Sequence, residues 1–203
     1  MKISLIVEGE SEKIFLDAIR NFLKPRCLGP IPKLNPVILN CDVPPRHELL
    51  KIVRALLLDQ GNRVIILTDV KGQNSFNDAQ DAIAQIESRL SGLPELNVQV
   101  FVHAAQYELE AWLIPFWPQI QKLAHSKRPK PSTPPERINN LKPPSKLLSE
   151  VWRTGNGNNK KYSKVLDLRR ILNGQDLEHA SKECPTLKSF LNRLLTLSGA
   201  PTL

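Results

Sequence analysis

Four short apolar runs alternating with helical stripes constrain this 203-residue chain more than any other feature. The runs fall at residues 3–7, 36–41, 63–68 and 97–103, and the third, with VIIL at its centre, is the clearest strand. Between them, residues 10–23, 46–59 and 77–90 repeat apolar side chains at i, i+4 and i+8, and residues 107–123 return to that spacing. Strands separated by helices of this length require crossover connections, which place the strands parallel in one sheet. The expected fold class is therefore α/β, a Rossmann-like, mostly parallel sheet flanked by helices.

Ligand sites in such sheets lie beyond the carboxyl ends of the strands. Here those ends carry Glu8 and Gly9, then Asp42, then Asp69, then His103 with Glu108 and Glu110. Carboxylates that converge from several strand ends repel one another unless a cation neutralises them. Oxygen donors without a His/Cys cluster select Mg2+ or Mn2+, and such an ion can stabilise charge on a phosphoryl group and activate water. The candidate ligands are Glu8, Asp69, Glu108 and Glu110. Glu10 and Glu12 have a simpler reading as acids opposing the dipole of a helix's first turn. Lys71 stands two residues beyond Asp69, placed to contact a phosphate oxygen or to lie in solvent. At ~100° per residue, Glu108 and Glu110 flank an apolar stripe (Leu109, Trp112, Leu113, Phe116) on opposite sides, so a regular helix turns only one of them to an ion.

The second part of the chain differs. Residues 1–120 hold 12 Lys/Arg against 14 Asp/Glu, whereas residues 121–203 hold 16 against 6. A net of +10 on one half suggests a polyanion partner, and solubility alone is the competing explanation. Lys127, Arg128, Lys130, Lys160, Lys161, Lys164, Arg169 and Arg170 are the candidate phosphate contacts. Eight prolines lie between Pro115 and Pro144, with KRPKPSTPP at the centre, which reads as a loop or polyproline segment. The organisation expected is an α/β core at 1–124, a Pro-rich basic loop at 125–146, and a basic helical elaboration of the same domain at 147–203, serving as a lid.

Three scattered cysteines form neither a disulfide framework nor a CxxC pair. No apolar run approaches the ~20 residues of a membrane span, and the short first run does not suit a secretory leader. A cytoplasmic chain is expected. VEGESEK fits neither GxxxxGK[ST] nor GxGxxG, which argues against a nucleotide-binding loop.

VEGESE (7–12) resembles the EG-x-S/T-E turn of TOPRIM-type domains, the module of topoisomerases, primases and OLD-type nucleases. ILTD (66–69) stands where that module has its aspartate motif. YELEAWL (107–113), with Tyr162–Lys164 and Cys184–Pro185, more narrowly resembles a bacterial TOPRIM-like family encoded beside an ABC- or AAA-type ATPase and linked to phage defence. The resemblance implies a TOPRIM-like fold and a Mg2+-dependent nuclease acting on DNA or RNA. Glu8 would be general acid/base or metal ligand, Asp69 a Mg2+ ligand, and the ELEAW glutamates metal-linked, Glu110 ahead of Glu108. The departure is Lys71, where the family pattern has a second aspartate; Asp78 or Asp81 are the nearby substitutes. That departure keeps open a second expectation, a non-catalytic module that binds or regulates an ATPase.

Overall fold

The structure is a computed structural model and describes residues 1–40, 42–70, 76–140, 142–155 and 161–203. Four parallel strands, β1 (Lys2–Val7), β2 (Lys33–Ile38), β3 (Asn62–Asp69) and β4 (Val100–Ala105), form one sheet in the order β2-β1-β3-β4. Helices α1 (Glu10–Leu23), α2 (Arg46–Leu57) and α3 (Ala79–Arg89) make the three crossovers. This is the α/β class that the alternation of runs dictates. From β1 the chain moves to one side of the sheet and from β3 to the other, so the topological switch point lies between β1 and β3. Those strands run in register from Lys2 opposite Asn62 to Val7 opposite Leu67, which brings Glu8 and Thr68 alongside each other.

Alternation along the strands feeds two cores. Ile3, Leu5, Val7, Ile65, Leu67 and Phe101 face α1 and the C-terminal helices, whereas Ile6, Val64, Ile66 and Val102 face α2 and α3. Strand β2 contains Pro36 and begins three residues before the position expected from its apolar run. It lies at the sheet edge, where a proline's missing donor costs no ladder bond.

After β4, Glu108 keeps extended backbone (φ −139°, ψ 147°), and Leu109–Phe116 follows as a 3-10 helix before α4 (Trp117–Ala124). The single α-helix expected at 107–123 is thus divided. All eight residues of the 3-10 segment are buried, which removes any need for a one-sided stripe. The C-terminal part comprises α5 (Pro144–Gly155), α6 (Lys164–Leu172), α7 (Leu177–Ser181) and α8 (Pro185–Leu197). These helices are not a detached layer. Leu148, Val151, Leu168, Phe190 and Leu194 belong to the same core cluster as Ile3, Leu5 and Phe15.

The proline-rich stretch is also more structured than its composition suggests. Pro135–Asn140 forms a 3-10 helix, and Ile138 is buried. Glu136 accepts hydrogen bonds from Trp112 Nε1 (3.2 Å), from the Thr186 amide (3.1 Å) and from the Thr186 hydroxyl. One carboxylate therefore ties this stretch to the centre of the core and to the first turn of α8. No helix among the described residues is long and apolar enough to cross a membrane.

Candidate acidic site at the carboxyl end of the sheet

Glu8 directly follows Val7, the last residue of β1. Its carboxylate accepts a hydrogen bond from Thr68 Oγ1, the side chain beside it on β3. Burial pushes the Glu8 carboxyl up to about 7, against the opposing effect of Thr68, and Asp42 and Glu12 add to the rise. Gly9 follows with an extended backbone (φ −150°) that any residue adopts, so the turn does not depend on left-handed geometry. What its small size permits is close approach. A Cβ at Gly9 would lie 3.3 Å from Glu12 Oε2, the oxygen that accepts the Gly9 amide at 3.0 Å. Glu12 thus supplies one half of a capping box on α1, its carboxylate holding the N-cap amide while glycine offers no side chain in return. Glu10 is exposed and paired with Lys13 at 3.3 Å, the helix-start acid expected.

Asp69 ends β3 and accepts the Leu109 amide at 3.0 Å, linking the third strand to the segment after the fourth. Its carboxyl is held well above the ordinary range by burial, then by the charges of Glu12, Glu110 and Glu8, with Lys164 opposing. Glu12 therefore has two parts to play, as a cap and as the first of the charges acting on Asp69. That second part is invisible to local helix rules.

Glu108 and Glu110 are both buried. Glu108 lies ahead of the 3-10 segment, so the regular-helix spacing that would turn only one of them to an ion does not apply at it. Glu108 accepts the Ser145 amide (2.8 Å) and hydroxyl (2.9 Å) at the start of α5, so its carboxylate orients a helix. Glu110 is the more site-like of the two. Its side chain is 2% exposed, its carboxyl is raised by burial, and Lys164 Nζ at the first residue of α6 lies 3.0 Å from Oε1. Lys164 aside, this buried oxygen has no hydrogen-bond partner among the described residues. The Tyr162 hydroxyl is likewise buried without a partner among them, and burial followed by Glu110, Asp167 and Glu108 push it far up.

Lys164 is the residue whose place the sequence hides. Read along the chain it is one of eight basic positions, yet it points at the acidic site. Burial acts to lower its ammonium, but Glu110, with Glu108 and Asp69 behind it, outweighs this and holds it above its ordinary value. Of the other basic candidates, Arg128 pairs with Glu150 (3.3 Å), Lys130 with Glu183 (2.6 Å) and Arg170 with Asp167 (3.4 Å). Lys127 and Lys161 are exposed. Arg169 is exposed and lines a groove of about 270 Å³ with Lys13, Arg20, Pro36 and Val165. Lys71 and Lys160 lie outside the described residues.

His103 is a correction to the list of strand-end groups. It sits within β4, buried, with its ring 5.6 Å from that of Phe190. Burial first, and Arg193 second, push its imidazole down to about 4, so it is a neutral core residue. Asp78 and Asp81 serve the start of α3. Asp78 accepts the Asp81 amide at 2.8 Å, and Asp81 accepts from Asn77 at 2.8 Å, so both have structural employment in place of the missing second aspartate.

Whether a divalent cation suits this site rests on its donors. All are carboxylate oxygens, the hard donors such ions take. Glu8, Asp69 and Glu110 are all raised by burial, and Asp69 also by the charges of Glu12, Glu110 and Glu8, which is the strain a cation relieves. Among the described residues, however, no three acidic, His or Cys side chains are gathered closely enough to hold one ion. The chemistry fits, and the Glu110 carboxylate is occupied by a lysine.

No curated protein matches the chain. Among solved structures, the C-terminal region of the Xanthomonas campestris pv. campestris OLD protein, phased with platinum, is similar with a TM-score of 0.50 and 14% identity, over 98% of this chain and 94% of that one. The C-terminal region of the Burkholderia pseudomallei OLD protein gives a TM-score of 0.50 and 11% identity over 97% and 98%. The shared feature at these identities is the fold, over nearly the full length of each chain. A family model described as "Domain of unknown function (DUF4276)" matches residues 7–195, and the chain belongs to that family.

Proposed function

We propose that the protein is a Mg2+- or Mn2+-dependent nuclease that hydrolyses phosphodiester bonds of DNA or RNA. The observation that carries this reading is the meeting of Glu8 and Asp69 across the β1/β3 switch point, with Glu110 charge-coupled to Asp69 and all three carboxyls raised. An acidic crevice of this kind repels a bare phosphate and accepts one through a cation. In this reading Glu8, Asp69 and Glu110 hold the ion, and Glu108 orients the neighbouring segment by capping α5. Near neutral pH, Glu8 with its carboxyl at about 7 is suited to moving a proton to or from the attacking water. Lys127, Lys161, Arg169 and their basic neighbours contact backbone phosphates without reading sequence.

The TOPRIM resemblance and the OLD-like fold support the same reading, and extend it to a phage-defence role beside an ATPase partner. Glu8→Gln and Asp69→Asn, tested for Mn2+-dependent cleavage of plasmid DNA and of labelled RNA, are expected to be inactive while keeping wild-type circular dichroism. Full activity in both variants would overturn the assignment.

The alternative, a non-catalytic module that binds or regulates an ATPase, is favoured by one observation: no three ligands are gathered among the described residues. Calorimetric titration with Mn2+ separates the two. A binding-only module takes up no Mn2+ in a manner that depends on Glu8 and Asp69.

A further inference from the structure

Glu110 and Lys164 form an unequal pair. The carboxylate is 2% exposed and fixed within the buried 3-10 segment, whereas the lysine side chain is 50% exposed on the first residue of α6. A buried carboxylate that loses its paired cation is strongly destabilised, so Glu110 cannot be left alone while ionised. The lysine, in contrast, has a flexible four-carbon stem and a strongly hydrated ammonium that loses little on turning to solvent. The mobile member of the pair is therefore the cation. The Tyr162 hydroxyl, two residues before Lys164, is buried with no hydrogen-bond partner among the described residues and lies in the field of the same carboxylate. The immediate surroundings of Glu110 are thus underused while Lys164 serves it.

We propose that Lys164 is a tethered placeholder cation: it neutralises Glu110 in the empty site and is exchanged for a divalent cation, which frees its ammonium for a phosphate. The inference rests on the metal-dependent reading above and adds to it a competition between a residue of the chain and the ion. It assigns a use to the ammonium that stands 3.0 Å from the Glu110 carboxylate. It also gives a sign that a purely structural salt bridge does not share. Removing the lysine charge should strengthen ion binding, since two cations no longer compete for one carboxylate and repel each other across it.

The test is Mn2+ affinity, measured by calorimetry and by the electron paramagnetic resonance signal of free Mn2+, on wild type, Lys164→Met and Lys164→Arg. Methionine keeps the length and apolar stem without the charge, and arginine keeps the charge. Lys164→Met is expected to bind Mn2+ at least about ten-fold more tightly than wild type, and Lys164→Arg within about three-fold of wild type. The metal-free Lys164→Met protein should melt lower than wild type and gain more in melting temperature on adding Mn2+. If it fails to fold without metal, Mn2+-dependent refolding is the readout, and failure of millimolar Mn2+ to restore the fold overturns the proposal. A Lys164→Met/Glu110→Gln double variant should recover the metal-free melting temperature and lose the gain in affinity. Wild-type binding with equal or weaker binding by Lys164→Met overturns the exchange while leaving the metal reading standing. Absence of Mn2+ binding in every variant overturns both.

Discussion

Replacing Glu8 by glutamine should make the protein more stable at alkaline pH while removing the group to which the proposed chemistry assigns proton transfer. The folded carboxyl titrates at about 7 against an ordinary value of 4.5, chiefly because it is buried. At ~1.4 kcal/mol per pH unit this corresponds to about 3 kcal/mol. The direction follows from proton binding: the folded state holds its proton more tightly than the unfolded chain, so the favourable contribution is complete below pH 4.5. It falls as pH rises through the window between 4.5 and 7, and is fully lost above it. The glutamine side chain does not titrate and keeps an oxygen for the Thr68 hydroxyl. Urea denaturation of both proteins should therefore give nearly equal stabilities at about pH 4.5 and a variant more stable by about 3 kcal/mol at about pH 8. Saturating Mn2+ at that alkaline pH should narrow the gap, because an ion bound to the native state stabilises only the protein that holds it. Two stability curves that run parallel across this whole range would refute the reasoning, since they would mean that Glu8 is solvated in the native state.

Glu136→Ala leaves both Thr186 donors without their acceptor and the Trp112 indole with the Thr186 hydroxyl alone, and should lower stability by about 2–3 kcal/mol in urea denaturation, with the second half of the chain intact in sequence but loosened on the core. Cys184, buried with its thiol pushed up by that burial, should react with a thiol reagent only as fast as the protein unfolds, a rate checked against unfolding kinetics. Arg169→Glu should weaken binding to a labelled oligonucleotide and flatten its salt dependence while leaving Mn2+ affinity unchanged.

The strand and helix pattern was legible because each crossover lies within about forty residues and β1, β3 and β4 are buried nearly along their whole length. The strand-end positions of Glu8 and Asp69 followed from the same logic, because each stands where an apolar run gives out, whereas the neighbouring of β1 and β3 is seen only in the sheet. Pro36 blurred the start of β2, since a proline inside a strand is informative only when the edge position is known. Lys164 could not be found this way. It lies 54 residues beyond Glu110, and the packing of α6 against α1 that places it depends on contacts no local pattern encodes. His103 misled for a related reason: it ends an alternating run in sequence, whereas two further residues of β4 follow it in the sheet. The proline-rich stretch misled through composition, because one carboxylate and one isoleucine suffice to anchor it.

The single core that joins Ile3, Leu5 and Phe15 to Phe190 and Leu194 bears on how such a chain can be cut or evolved. A face of the sheet that in many α/β proteins is covered by the helices of its own crossovers is here finished by helices from the last sixty residues. A fragment ending at residue 124 would expose that face to water, and would lose Lys164 in the same step. Proteolysis that nicks the second half should therefore silence the acidic site by melting its surroundings. The C-terminal helices act less as a lid to be opened than as one of the walls on which the site is built.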